Sequence, residues 1–151
     1  MTDLWPESIG NFDRGNSDLI APSVILKQQG LILAKKTDDL IEGEVINFTP
    51  VYYGGIPGNF RYGFFLVAKA LQNYKYHLLT ISHSIMLYPV EIFVEESISE
   101  ELSEIFSFKC NRPEGKTLIV EEHKYMECLR LIFATRKVKY LISNLLNLSC
   151  K

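Results

Sequence analysis

The sequence has few of the residues on which most enzymes and metal proteins depend. Its 151 residues include three histidines and three cysteines, Cys110, Cys128 and Cys150. An odd number of widely spaced cysteines implies no disulfide framework, and without a Cys-x-x-Cys pair a zinc ribbon is excluded. We therefore expect no structural metal and no cofactor.

An excess of charge of one sign is also missing. The chain has 16 Lys and Arg against 18 Asp and Glu, a formal net charge of −2. This balance gives no global positive field that would attract nucleic acid or an anionic membrane. The N-terminal residues contain no apolar run, and the longest uncharged run, residues 76–90, is too short to span a bilayer. We therefore expect a cytoplasmic protein that binds neither nucleic acid nor membrane.

Hydrophobic residues are plentiful, at 47% of the chain, and this content predicts a folded core rather than disorder. The length fits a single domain over residues 1–151. Residues 1–20 are polar and contain several Gly, Asp and Asn residues. We expect them to form an irregular lead-in to this domain.

The stretch from Glu42 to Glu95 decides the fold class, because it reads as extended segments with no helix among them. Four extended segments are predicted, at about 40–53, 60–67, 75–83 and 87–94. The first is rich in β-branched and aromatic residues, and in the other three alternate residues share one face. Connections this short require antiparallel neighbours. In the third segment His77 and His83 share one predicted face, and in the fourth Pro89 favours an edge or bulged position.

Helical spacing of apolar residues flanks this block on both sides. A first helix is predicted from Pro22 to about Lys36, and its apolar face consists of Val24, Ile25, Leu31 and Ile32. Three more helices are predicted at about 98–107, 120–134 and 135–148. The sequence therefore predicts an α+β fold: a four-stranded antiparallel meander sheet preceded by one helix and followed by about three helices packed on one face.

Candidate catalytic residues lack partners at usable spacing. His77 and His83 would lie about 20 Å apart on one extended strand, too far to share a metal. His123 and Glu127 face the same way on a helix but have no further ligand. Cys110 has a basic neighbour in a loop, which is the setting of a reactive thiol. For each, the ordinary structural interpretation is favoured, so we predict no catalytic residue and no metal ligand.

A glycine-rich loop at Gly54–Asn59 is one candidate binding element. It has neither the lysine of a phosphate-binding loop nor a helix after it, so a flexible hairpin loop is the simpler interpretation. Tyr52, Tyr53 and Arg61 flank the loop, and Tyr and Arg are favoured in protein interfaces. These three residues are predicted to contact a protein partner.

An acidic stretch is the second candidate. Six glutamates lie between residues 91 and 104 with no Lys or Arg among them, while basic residues cluster at 130–139. Solvated helix faces explain this segregation, and so does an acidic patch for a basic partner. On the second interpretation Glu96, Glu100 and Glu101 are the contact residues.

Three short segments resemble small uncharacterised bacterial proteins. They are Pro22–Gln29 with the following Lys36-Thr37, then Tyr74-x-Tyr76-x-Leu78, then Leu87–Val90. The resemblance implies a bacterial setting and no activity.

Two functions remain open. The first is a non-enzymatic protein-interaction module of the cytoplasm, such as an immunity- or antitoxin-like inhibitor, whose partner is another protein; a homo-oligomer also remains open. The alternative is a small-molecule-binding domain or minor hydrolase with a site between sheet and helices, near the Gly54–Asn59 loop. A pocket with converging polar groups would favour the alternative, and a shallow surface with exposed aromatic residues would favour the first.

Overall fold

The computed structural model describes residues 2, 4, 19–50, 59–106 and 117–150, with the backbone alone for residues 105, 106 and 117. The described residues form an α+β fold, as predicted. The elements, in chain order, are α1 Pro22–Lys36, β1 Ile41–Asn47, β2 Phe60–Ala68, a 3-10 turn Lys69–Leu71, β3 Tyr74–His83, β4 Val90–Val94, α2 Glu96–Phe106, β5 Thr117–Val120, α3 Glu122–Phe133 and α4 Arg136–Ser149.

The strands form an antiparallel sheet in the order β1-β2-β3-β4-β5. The prediction of four strands is wrong by one, because β5 pairs with β4 through Val90–Val120 and Glu91–Ile119. β5 has four residues, too few to show a period. The predicted edge position of the fourth strand is also wrong. β4 begins after Pro89 and lies between β3 and β5, so the proline does not interrupt a ladder.

The helices pack on one side of the sheet. Pairing aligns Val45, Phe64, Leu79 and Val94 across four strands, and this row points into the core. Buried residues of α1, α2, α3 and α4 pack against this row and complete the hydrophobic core. We call this side the covered face. The opposite side, the open face, carries Glu42, Glu44, Ile46, Arg61, Gly63, Phe65, Val67, Lys75, His77, Thr80, Ser82, Glu91, Phe93 and Ile119.

A β-bulge in β3 places His77 and His83 on opposite faces of the sheet. Phe64 pairs with Leu79, but Phe65 pairs with His77, so Leu78 is an extra residue in β3. The bulge shifts the alternation, and His77 lies on the open face while His83 lies on the covered face. The prediction that the two histidines share a face is therefore wrong.

Helix α1 buries a different side from the one predicted. Its buried residues include Ile25, Leu26 and Gly30, whereas Leu31 is 64% exposed and Ile32 is 43% exposed. The helix is apolar around most of its circumference, so spacing alone could not select the side. Gly30 decides it. A Cβ atom on Gly30 would overlap the carbonyl oxygen of Gly43, so the backbone of α1 lies directly against β1.

Tyr125 connects α3 to the start of α1. Its side chain is fully buried, and its hydroxyl donates a hydrogen bond to the carbonyl oxygen of Pro22 at 3.0 Å. Burial raises the pKa of the Tyr125 hydroxyl, so it stays a hydrogen-bond donor over the physiological range. Thr135 caps the last helix, α4, because its side chain accepts the N–H of Val138. Among the described helices, none has the length and apolar character that crossing a bilayer would need.

Candidate functional site on the open face of the sheet

An aromatic cluster lies on the open face. The rings of Phe65 and His77 stack with centroids 4.5 Å apart. Phe48 meets both rings edge-on, each at 5.9 Å. Edge-on and offset stacked arrangements are those that aromatic rings prefer. We call Phe48, Phe65 and His77 the aromatic cluster.

Gly63 makes room for the aromatic cluster. A Cβ atom at this position would overlap Phe48 and would lie 2.9 Å from Phe65 Cε1 and 3.2 Å from His77 Nε2. Thr80 also holds the His77 ring, since its Oγ1 lies 2.7 Å from His77 Nε2. The cluster is therefore held in place by the glycine in β2 and the threonine in β3.

A shallow depression of about 420 Å³ adjoins the cluster, lined by Phe48, Arg61, Thr80 and Phe93. Phe48 is 41% exposed and Arg61 is exposed, so an apolar ring and a cation are both accessible there. Aromatic residues and arginine are the types most often found at the centres of protein interfaces. The depression lacks the enclosed shape of a small-molecule site.

The charges at the other end of the open face pair with one another. Lys75 Nζ lies 2.9 Å from Glu44 Oε1, and Lys69 Nζ lies 3.5 Å from Glu42 Oε2. All four side chains are partly solvated, so these ion pairs add little to stability. They give the apolar centre a polar border of mixed charge, as in a protein interface.

The predicted protein-binding residues around the glycine loop fall into two groups. Tyr52, Tyr53 and the loop residues 54–58 lie outside the described residues. Arg61 lies on the open face, where it lines the depression. Its contact with a protein stays a prediction. The sequence did not single out Phe48, Phe65 or Phe93, because their grouping depends on the bulge in β3 and on Gly63.

The acidic stretch meets the basic segment inside the same fold. The N–H of Arg136 donates to Glu101 Oε2 at 2.7 Å, and Lys137 Nζ lies 3.9 Å from Glu95 Oε2. The hydroxyl of Tyr76 donates to Glu95 Oε1 at 3.0 Å. Burial, and next this hydrogen bond, raise the pKa of Tyr76 to about 12. Part of the charge segregation therefore holds α2 against α4.

The three glutamates predicted as contacts differ in their surroundings. Glu96 and Glu100 are exposed, whereas Glu101 is 9% exposed and its carboxylate caps the first turn of α4. The partner of Glu101 is 35 residues away, so its sequence neighbours gave no sign of this role. Binding of a basic protein stays a prediction for Glu96 and Glu100.

We predict that Glu101→Ala destabilises the protein by about 1–2 kcal/mol, because the N–H of Arg136 at the start of α4 loses its acceptor. Glu100→Ala is the matched control in the same helix and should change stability by less than about 0.5 kcal/mol, since Glu100 is exposed. Urea unfolding of both variants measures the difference. Glu101→Gln keeps an oxygen acceptor and should recover part of the loss. Equal losses at positions 100 and 101 would contradict the capping role.

His83 is buried at the end of β3. It is 4% exposed, and its ring stacks on Phe60 and Tyr62 at 5.7 and 5.9 Å. Its Nδ1 lies 2.8 Å from the carbonyl oxygen of Ser84, while its Nε2 is buried and has no hydrogen-bond partner among the described residues. These contacts fix the ring beneath the end of the sheet.

Cys128 is the buried cysteine of the described part of the chain. Burial raises the pKa of its thiol to about 12, so the thiolate needed for nucleophilic attack is not formed near neutral pH. Cys110 lies outside the described residues. The described residues contain no group of three His, Cys, Asp or Glu side chains arranged to hold a metal ion. On α3, His123 is exposed, and Glu127 forms an ion pair with Arg130.

Comparisons with protein-family models, with curated protein sequences and with solved structures give no match to this chain. The resemblance to small bacterial proteins therefore stays an expectation. Any functional assignment depends on the geometry of the described residues.

Proposed function

We propose that the protein is a non-enzymatic interaction module that binds another protein through the open face of its sheet. The observation that carries the proposal is the aromatic cluster on the open face, where Phe48 and His77 are exposed beside the exposed Arg61. Apolar side chains that stay exposed on a rigid sheet gain free energy when a partner covers them. The expected setting is the cytoplasm.

The shape of the open face favours a protein over a small molecule. The depression between Phe48 and Phe93 is wide and shallow, and Arg61 and Thr80 supply its polar groups. The mixed charge of the face also favours a protein over single-stranded nucleic acid. Nucleic-acid surfaces combine aromatic platforms with a positively charged groove. Here glutamates at 42, 44 and 91 lie on the same face as the cations.

The partner surface can be described by its chemistry. An apolar side chain would fill the depression beside Phe48 and Phe93, and a carboxylate would pair with Arg61. Such a flat, rigid docking face suits an immunity- or antitoxin-like inhibitor, which acts by covering a surface on its target. The size of the chain and its open sheet are consistent with this class.

Photo-crosslinking followed by a binding measurement tests the proposal. A photoreactive phenylalanine analogue at position 48 should crosslink a defined partner, whereas the same analogue at the exposed Tyr140 of α4 should not. With that partner purified, Phe48→Ala and Phe93→Ser should each weaken binding at least about tenfold, because truncated interface anchors cost more than about 1.4 kcal/mol.

A matched control removes an exposed apolar side chain elsewhere. Leu148→Ala on α4 should leave the affinity within about twofold of the wild type, since Leu148 lies on the helical side of the protein. Arg61→Ala should slow association and reduce its salt dependence. If Leu148→Ala weakens binding as much as Phe48→Ala does, or if neither open-face variant weakens it, the open face is not the binding surface.

A further inference from the structure

A second feature lies on the covered side of the sheet, beside α1, α3 and α4. Two apolar pockets of about 180 and 310 Å³ lie along α1, and both are lined by Gln29 and Phe133. Because they share these residues, the two pockets adjoin each other along α1, and we call the pair of pockets the α1 groove.

The α1 groove reaches down to the sheet. Its floor consists of Phe64, Leu66 and Leu78, which are buried residues of the covered face. Its lining extends along α1 from Ile25 to Lys36, a length of about 16 Å at the rise of an α-helix. The groove therefore extends along α1 and is apolar at its base.

The volume and the apolar lining suit a linear hydrocarbon chain as the occupant. The deeper pocket, about 180 Å³, is close to the size of a dry apolar cavity of about 150 Å³ that binds benzene. A helix about 10 Å wide cannot enter such a space. An extended hydrocarbon chain can lie along the groove and cover Phe64, Leu66 and Phe133. Burying each methylene group of such a chain is favourable.

The charges at the two ends of the groove differ. At one end Lys36 lines the deeper pocket, and no carboxylate of the described residues lies within ion-pair distance of its ammonium group. At the other end Arg130 is already paired with Glu127. An anionic group is therefore attracted to the Lys36 end.

We infer that the α1 groove binds a free linear carboxylate amphiphile, such as a medium-chain fatty acid. Its hydrocarbon tail lies between α1 and Phe133, and its carboxylate pairs with Lys36. This site is on the covered side of the sheet, so it is independent of the protein-binding surface proposed above.

Titration with decanoate, below its micelle concentration, tests the inference by calorimetry. Decanoate should bind saturably at one site. Ile32→Trp, which places an indole at the lip of the deeper pocket, should weaken binding at least about tenfold. Leu31→Trp is the matched control, because Leu31 is exposed and does not line the groove. Its affinity should stay within about twofold of the wild type.

The position of the carboxylate is tested separately with decanol, which has the same tail and no charge. Lys36→Gln should weaken decanoate up to about fivefold, as expected for a partly solvated ion pair, and should leave decanol unchanged. Lys35→Gln is the matched control, because Lys35 does not line the groove. In the wild type, decanoate should shift the methyl NMR signals of Ile142 and Leu33 but not those of Leu148.

Three results would overturn the inference. They are no saturable binding of decanoate to the wild type, equal effects of the two tryptophan substitutions, and equal effects of Lys36→Gln on decanoate and decanol. If Ile32→Trp does not fold, the wild-type NMR shifts decide the matter. Shifts at Leu148 with none at Ile142 would place the amphiphile outside the groove.

Discussion

Gly30→Ala is expected to destabilise the protein by about 3 kcal/mol, although alanine is the better helix former. In an open helix the substitution would add about 1 kcal/mol of stability. Here the new methyl group would overlap the carbonyl oxygen of Gly43 and would lie 2.7 Å from its carbonyl carbon. Backbone atoms cannot rotate away, so α1 has to move off β1, and overpacking of this kind costs about 1–3 kcal/mol or more. Urea unfolding measures the change.

The partner glycine supplies a double-mutant test of the same contact. A methyl group on Gly43 would lie 2.6 Å from Gly30 Cα and would overlap the Phe64 ring. Once α1 has moved to admit one methyl group, the second methyl group fits into the same gap. The double variant should therefore lose less stability than the sum of the losses in the two single variants. Gln28→Ala, at an exposed position of α1, controls for helix propensity. A gain of stability in Gly30→Ala would contradict direct packing of α1 on β1.

The sequence predicted the elements that repeat over enough residues to show a period. Strand β2 was predicted to within one residue, because Tyr62, Phe64 and Leu66 alternate regularly over its length. Strand β5 was missed, because four residues between a loop and a helix show no period. The side of α1 that packs was also missed. That choice depends on a glycine of β1, 13 residues away in sequence, and not on the spacing within the helix.

The candidate site was predictable only in part. Arg61 was singled out as a residue type favoured in interfaces, and it lines the depression on the open face. The aromatic cluster was not, for two physical reasons. The bulge at Leu78 moves His77 to the open face, and Gly63 leaves the space that Phe48 and Phe65 occupy. The local sequence of a strand indicates neither where a bulge will form nor which side chains will pack over a glycine.

The capping role of Glu101 could not be predicted from the sequence either. Composition separates an acidic segment from a basic one, and the simplest reading of that pattern is two surfaces. The fold instead brings Glu95 to Lys137 and Glu101 to Arg136. A sequence shows which charges are available, whereas the packing of α2 against α4 determines which of them remain for a partner.

Phe64→Ala is expected to lower the free energy of unfolding several-fold more than Phe65→Ala does, although the two residues are neighbours in β2. Phe64 is 2% exposed, and its ring lies 5.9 Å from that of Phe133 in the core. Its loss should destabilise the protein by about 3–5 kcal/mol. Phe65 is half-buried on the open face, so its loss should cost about 1 kcal/mol.

Two further variants make this contrast a test of the one-sided sheet. Phe64→Leu keeps most of the buried volume and should cost less than about 1.5 kcal/mol. Leu141→Ala on α4 should destabilise the protein by about 1 kcal/mol, because Leu141 is half-buried. Urea unfolding of all four variants gives the comparison. Equal losses at positions 64 and 65 would mean that the sheet is covered on both faces, and the open face could then not serve as a docking surface.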